Sequence, residues 1–143
     1  MMSGARTRWG FFIALFLAAS AGAAAESAAP AAQPQSWSPQ KVIEARNAGK
    51  KVFVAFRADW CVTCRVNEIT VFRGRGVLAA LAAPDVVYLV ADYTGKSDPA
   101  IKNELEYYQA GILPMYLVYR PDLRRPQVLP KMLGKKEIVA ALR

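Results

Sequence analysis

Histidine is missing from this chain of 143 residues. That absence removes Ser-His and Cys-His catalytic pairs, His-bearing metal sites and c-type haem attachment. Cysteine is scarce: Cys61 and Cys64 are the only thiols. One chain therefore cannot complete a four-cysteine zinc site. Long basic blocks are lacking too. The formal net charge is +8, but it is spread over Lys50-Lys51, Arg73, Arg75, Arg124-Arg125 and Lys135-Lys136. A spread of that kind reads as a solvated basic surface with a mild preference for acidic partners, and no nucleic-acid partner is expected. Hydrophobic residues make up 54% of the chain, a figure inflated by the alanine- and leucine-rich stretch 9–33. The length suits one domain with a single core.

Residues 1–25 read as a signal peptide. Arg6 and Arg8 form a positive n-region, WGFFIALFLAA (9–19) an apolar core, and Ala23-Ala24-Ala25 an A-x-A cleavage site before Glu26. An uncleaved membrane anchor is the rival reading, but the apolar core falls short of the roughly 20 residues needed to span a bilayer. Gly10, Ser20 and Gly22 weaken it further, and Thr7 separates the two arginines that a twin-arginine signal would join. The expected location is outside the cytosol. There a disulfide can persist, so a cysteine pair is either a staple or a redox centre. Residues 26–36 (ESAAPAAQPQ and Ser36) read as a flexible Ala/Pro/Gln linker, and residues 37–143 as the folded domain.

Within that domain helical and strand patterns alternate. Ser38-Pro39 opens a helix to about Asn47, ended by Ala48-Gly49. Residues 51–56 (KVFVAF) are a buried strand, followed by a helix from about Cys61 to Phe72 and a short one over 77–82. Residues 86–90 (VVYLV) form a second strand, and Ser97 or Asp98 caps a helix bearing Ile101, Leu105 and Tyr108. Residues 115–119 (MYLVY) form a third strand, 127–129 pair back on it, and Ile138, Val139 and Leu142 lie on a last helix. The implied class is α/β: a thioredoxin fold, with a central mixed β-sheet flanked by helices on both faces.

The informative element is Ala58-Asp59-Trp60-Cys61-Val62-Thr63-Cys64. The first turn of a helix brings two thiols at this spacing together, so they can close a small disulfide ring. Cys61 lies where helix N–H groups point outward and the dipole is positive, which stabilises a thiolate. Cys64, one turn deeper, would act second. Half a zinc site lacks its other half, and a haem site would need histidine where Arg65 stands. A staple closing so short a loop constrains the unfolded chain little. Dithiol–disulfide exchange is the reading that remains for the CxxC. Gly111-Ile112-Leu113-Pro114-Met115 adds a proline at a strand entry: taken alone it is an ordinary strand-start proline, and most X-Pro bonds are trans, but in a thioredoxin fold it would be the cis-proline whose loop faces the CxxC. Backbone at Leu113 would then offer edge hydrogen bonds to a substrate strand.

The run 52–72, with ADYT at 91–94 and GILPMYLVY at 111–119, resembles the C-terminal thioredoxin-like domain of DsbD and ScsB-type transmembrane thiol reductases. The resemblance covers roughly residues 38–143. It implies Cys61 as attacking thiol, Cys64 as resolving thiol, Pro114 as the cis-proline, and Trp60, Leu113 and Pro114 as substrate contacts. Glu68 falls where the family has an acid near the thiols, able to shift their pKa or move protons; the alternative reading is a solvated helix carboxylate. A membrane thiol reductase as electron donor and disulfide-containing periplasmic proteins as acceptors are also implied. No cofactor or metal is called for, and a monomer is expected. Ala55 occupies the place of the thioredoxin-type buried acid, which leaves proton handling to Glu68 or water.

Val62 and Thr63 add no positive charge between the thiols, which leans towards a reductant. The rival from another class is a periplasmic Cu(I) carrier using Cys61 and Cys64, with Met115 lending a thioether. A disulfide oxidase or isomerase is the third reading.

Overall fold

The computed structural model describes residues 32–108 and 111–143. The expected signal peptide, residues 1–25, and the linker up to residue 31 lie outside the described residues. A five-stranded sheet organises the rest: β1 (Gln35–Ser36), β2 (Lys51–Arg57), β3 (Val86–Asp92), β4 (Met115–Tyr119) and β5 (Gln127–Leu129). Its order is β1-β3-β2-β4-β5. β1 and β2 run parallel to β3, while β4 is antiparallel to both β2 and β5. The helices are α1 (Pro39–Asn47), α2 (Val62–Thr70), α3 (Arg75–Leu81), α4 (Pro99–Tyr107) and α5 (Lys135–Ala141). This is the mixed thioredoxin arrangement expected.

Local chemistry explains the boundaries. Ser38 Oγ accepts from the Lys41 N–H and Pro39 fills the first helical position, so α1 starts where its cap lies. Gly49, at φ 71°, supplies the left-handed residue that turns the chain into β2. Asp98, not Ser97, caps α4 through Oδ1 to the Ala100 and Ile101 N–H groups. α2 ends at Thr70, short of the expected Phe72, because Val71 and Phe72 both donate to the Asn67 carbonyl and Gly74 then bonds Val71.

Strand alternation splits the core into two layers. Val52, Val54 and Phe56 point to one face, with Leu89, Ala91, Leu117, Val42 and Ala45 of α1, Ile101 of α4, and both cysteines. Phe53 and Ala55 point to the other, with Tyr116, Val118, Val77 and Leu81 of α3, and Ile138 of α5. On that second face Phe53, Phe72, Tyr88 and Tyr116 form one aromatic cluster.

The linker boundary moves. Gln35 and Ser36, assigned to the flexible stretch, pair with Leu89 and Val90 as an edge strand. Their side chains are exposed, so the pairing is made by backbone alone.

Candidate active site

β2 lies in the middle of the sheet, and all of Val52 to Phe56 are buried. The chain leaves it at Arg57 and enters α2 at Cys61, which is the N-cap in extended conformation. Cys61 Sγ accepts from the Cys64 N–H at 3.2 Å. Cys61 and Cys64 form a disulfide, with Cα atoms 5.3 Å apart. Cys61 retains 5% exposure and Cys64 1%. In the reduced protein the same geometry would hold a Cys61 thiolate at the positive end of α2 with a backbone donor already aimed at it. Cys64 is the more deeply buried of the two.

The Leu113–Pro114 peptide bond is cis. The antiparallel register sets Met115 opposite Phe56, so this bond sits just beyond β4, at the sheet end where β2 runs into the cysteine loop. Leu113, Pro114 and Met115 are buried, and Leu113 and Met115 join the same core layer as the two cysteines. Trp60 is half-exposed beside the disulfide, with Nε1 donating to the Thr94 carbonyl at 3.1 Å. The Lys96 ammonium lies 4.7 Å from the centre of its ring.

Glu68 is on α2, one turn beyond Cys64, as expected. Its carboxylate is taken by Arg57, with Nε to Oε1 at 2.6 Å. Arg57 also donates to Asp92 at 3.0 Å and to Asp59 at 2.9 Å. Arg57 and Asp92 are register partners at the ends of β2 and β3. Burial works against the Arg57 charge, but the hydrogen bonds to Asp59 and Glu68 outweigh it and raise its pKa. Thr94 extends the network. Its hydroxyl accepts from the Asp59 N–H at 3.0 Å and donates to Asp92, and its own N–H donates to Asp92 at 2.8 Å. The Thr94 hydroxyl, chiefly, holds the Asp92 carboxyl below the usual carboxylate range, with Arg57 adding to it. ADYT thus acts as a latch for the loop that carries Trp60 and Cys61.

Sequence reasoning missed Arg57 and also Asn67. Asn67 is 1% exposed and the one buried polar side chain among the described residues. Its Nδ2 donates to Tyr116 Oη at 3.0 Å and to the Lys131 carbonyl at 2.7 Å, and its Oδ1 accepts from the Leu133 N–H. Burial pushes the Tyr116 phenol up to about 12, with the Asn67 hydrogen bond working against it. The available signal was an amide on the stripe Cys64–Asn67–Val71, which faces the core at helical spacing. Among the described residues no group of three or more His, Cys, Asp or Glu side chains is arranged to hold a metal ion. Met115 is packed in the core. A cleft of about 530 Å³ lies between α3 and α5 and is lined by none of these residues.

A cysteine pair closing the first turn of a helix, beside a cis-proline strand entry in a mixed sheet, defines a dithiol–disulfide exchange domain. The family model described as Thioredoxin-like matches residues 33–121, and the chain belongs to that family. The thiol:disulfide interchange protein DsbD 1 of Pseudomonas aeruginosa is 38% identical over 80 residues, which are 56% of this chain and 13% of that protein. The chain therefore spans a small part of the curated relative it matches. The oxidised DsbD C-terminal domain of Neisseria meningitidis superposes with a TM-score of 0.58 at 19% identity, covering 76% of this chain and 95% of that one. A thioredoxin from Thermus thermophilus gives 0.60 at 18% identity, covering 78% and 85%. The DsbD-like sequence and the CxxC disulfide support thiol–disulfide oxidoreductase activity.

Proposed function

We propose that this chain is a periplasmic thiol–disulfide reductase that passes electrons from a membrane thiol reductase to disulfide-bonded proteins. The observation that carries the reading is the Cys61–Cys64 disulfide at the N-cap of α2 beside the cis Leu113–Pro114 bond. The similarity to a thiol:disulfide interchange protein supports the same chemistry. In the reduced protein the Cys61 thiolate attacks one sulfur of a substrate disulfide. A mixed disulfide forms, and the other substrate sulfur leaves as a thiolate that takes up a proton. Cys64 then loses its proton and attacks Cys61 Sγ, closing the internal disulfide and releasing the second substrate thiol. Two electrons have moved to the substrate, and a donor dithiol restores the pair by the reverse exchange. Leu113 and Pro114 would align the substrate strand, with Trp60 beside the reacting sulfurs.

Export through a cleaved signal peptide, action as a monomer and the periplasmic setting belong to the same proposal. Export and the periplasmic setting rest on the n-region, apolar core and A-x-A pattern of residues 1–25. No helix among the described residues is long and apolar enough to cross a membrane.

The test is the redox potential of the pair, equilibrated against glutathione buffers and read through Trp60 fluorescence. A value below about −200 mV is expected, and one at or above about −150 mV removes the reductase reading in favour of a disulfide donor. Failure to reduce insulin together with tight Cu(I) binding would favour a metal carrier instead.

A further inference from the structure

The CxxC helix carries one acid close to the thiols, and that acid is not free. Cys64 and Glu68 are four residues apart on α2, so their side chains are neighbours on one face of the helix. An anion in that place disfavours a thiolate in the reduced pair. Glu68 has one partner among the described residues, the Arg57 guanidinium at 2.6 Å. The Arg57 side chain is 20% exposed and that of Glu68 40%, so solvent screens the pair only in part. Asp92, by contrast, also accepts from the Thr94 hydroxyl and N–H, and depends on Arg57 less.

We propose that Arg57 is a positioning residue for the dithiol: by pairing with Glu68 it offsets the carboxylate that α2 sets beside Cys64, and so tunes thiol reactivity without touching the sulfurs. The proposal rests on the redox reading above. The two charges already act in opposition on their surroundings, since Glu68 raises and Arg57 lowers the pKa of both Tyr88 and Tyr116, phenols raised chiefly by burial. Each element packed around the site contributes further groups. They are Asp59 in the loop after β2, Arg65 on α2, Asp92 and Tyr88 on β3, Tyr116 on β4 and Lys96 over Trp60. Glu104 and Tyr108 lie on the α4 side, and the Lys131 ammonium reaches the Ile112 carbonyl. Among these, Arg57 is the cation bonded to Glu68.

The experiment is the pH dependence of Cys61 alkylation by iodoacetamide in the fully reduced protein, with folding checked by thermal unfolding. Arg57→Met should move the midpoint up by about half a pH unit, and Arg57→Lys should move it less. Glu68→Gln should move it down. The double variant Arg57→Met/Glu68→Gln should return close to the unsubstituted value. A role limited to bracing the loop would give the Arg57→Met shift whether or not Glu68 is present. An unmoved midpoint in Arg57→Met, or a double variant no different from Arg57→Met, overturns the proposal. Should Arg57→Met fail to fold, Glu68→Gln alone decides: a midpoint that does not fall overturns it. Alkylation needs no protein substrate, so these outcomes are independent of whether the chain reduces insulin.

Discussion

Asn67 bears a cost that an apolar residue would not. A buried amide must find partners for both N–H groups and its oxygen, and here it finds them on Tyr116, Lys131 and Leu133. Those three partners belong to β4 and to the loop between β5 and α5, so one side chain ties the cysteine helix to two later parts of the chain. Asn67→Leu removes the bonds and leaves the Tyr116 hydroxyl and the Leu133 N–H short of a partner in the core. A loss of about 2–4 kcal/mol is expected in urea unfolding of the oxidised protein. A loss under about 0.5 kcal/mol, the range of an ordinary surface change, would mean that water replaces the amide at no cost. The neighbouring thiols were legible because CxxC spacing states its own geometry. Asn67 was not, since its partners lie some 50 to 66 positions away in the chain.

At the scale of elements, the strands and helices with strong local signals stand where the sequence reading put them. The apolar runs KVFVAF, VVYLV and MYLVY became β2, β3 and β4, and Ser38-Pro39 and Asp98 capped their helices. β1 escaped because Gln35 and Ser36 are polar and exposed, and only backbone pairing marks them as a strand. The Arg57 cluster escaped for a related reason. It joins the ends of β2 and β3, the loop before Cys61 and the middle of α2, and no local period predicts that meeting. Its pH behaviour follows from Asp92. Hydrogen bonds from Thr94, with help from Arg57, lower its folded-state pKa. A carboxyl lowered in the folded state binds its proton more readily when unfolded. Its contribution is therefore present above the ordinary carboxylate pKa of about 4 and is lost as pH falls through the folded value. The stability gap between the unsubstituted protein and Asp92→Asn should then be largest near neutral pH and shrink on acidification. Unfolding curves between about pH 7 and pH 2.5 would reveal this, and a gap constant over that range would mean that Asp92 acts by shape and not by charge.

The disulfide is nearly buried, yet exposed apolar side chains flank its two segments: Val62 is 75% exposed, Ile112 73% and Trp60 47%. A centre built for small disulfides needs no such apron, because a small molecule reaches a sulfur without covering the surrounding surface. A protein substrate would cover it, and burying exposed apolar side chains favours the encounter. Ile112 precedes the cis-proline segment without being part of the sulfur chemistry. Ile112→Asp should therefore separate the two kinds of substrate. For a protein disulfide such as insulin, kcat/KM should fall about tenfold, close to 1.4 kcal/mol, mainly through KM. For a small aromatic disulfide the rate should change less than twofold, since the attacking thiolate and its helix are untouched. Equal losses on both substrates would place the effect on the thiols themselves. No loss on either would mean that protein substrates approach over α2 and Trp60 and leave the proline loop uncovered.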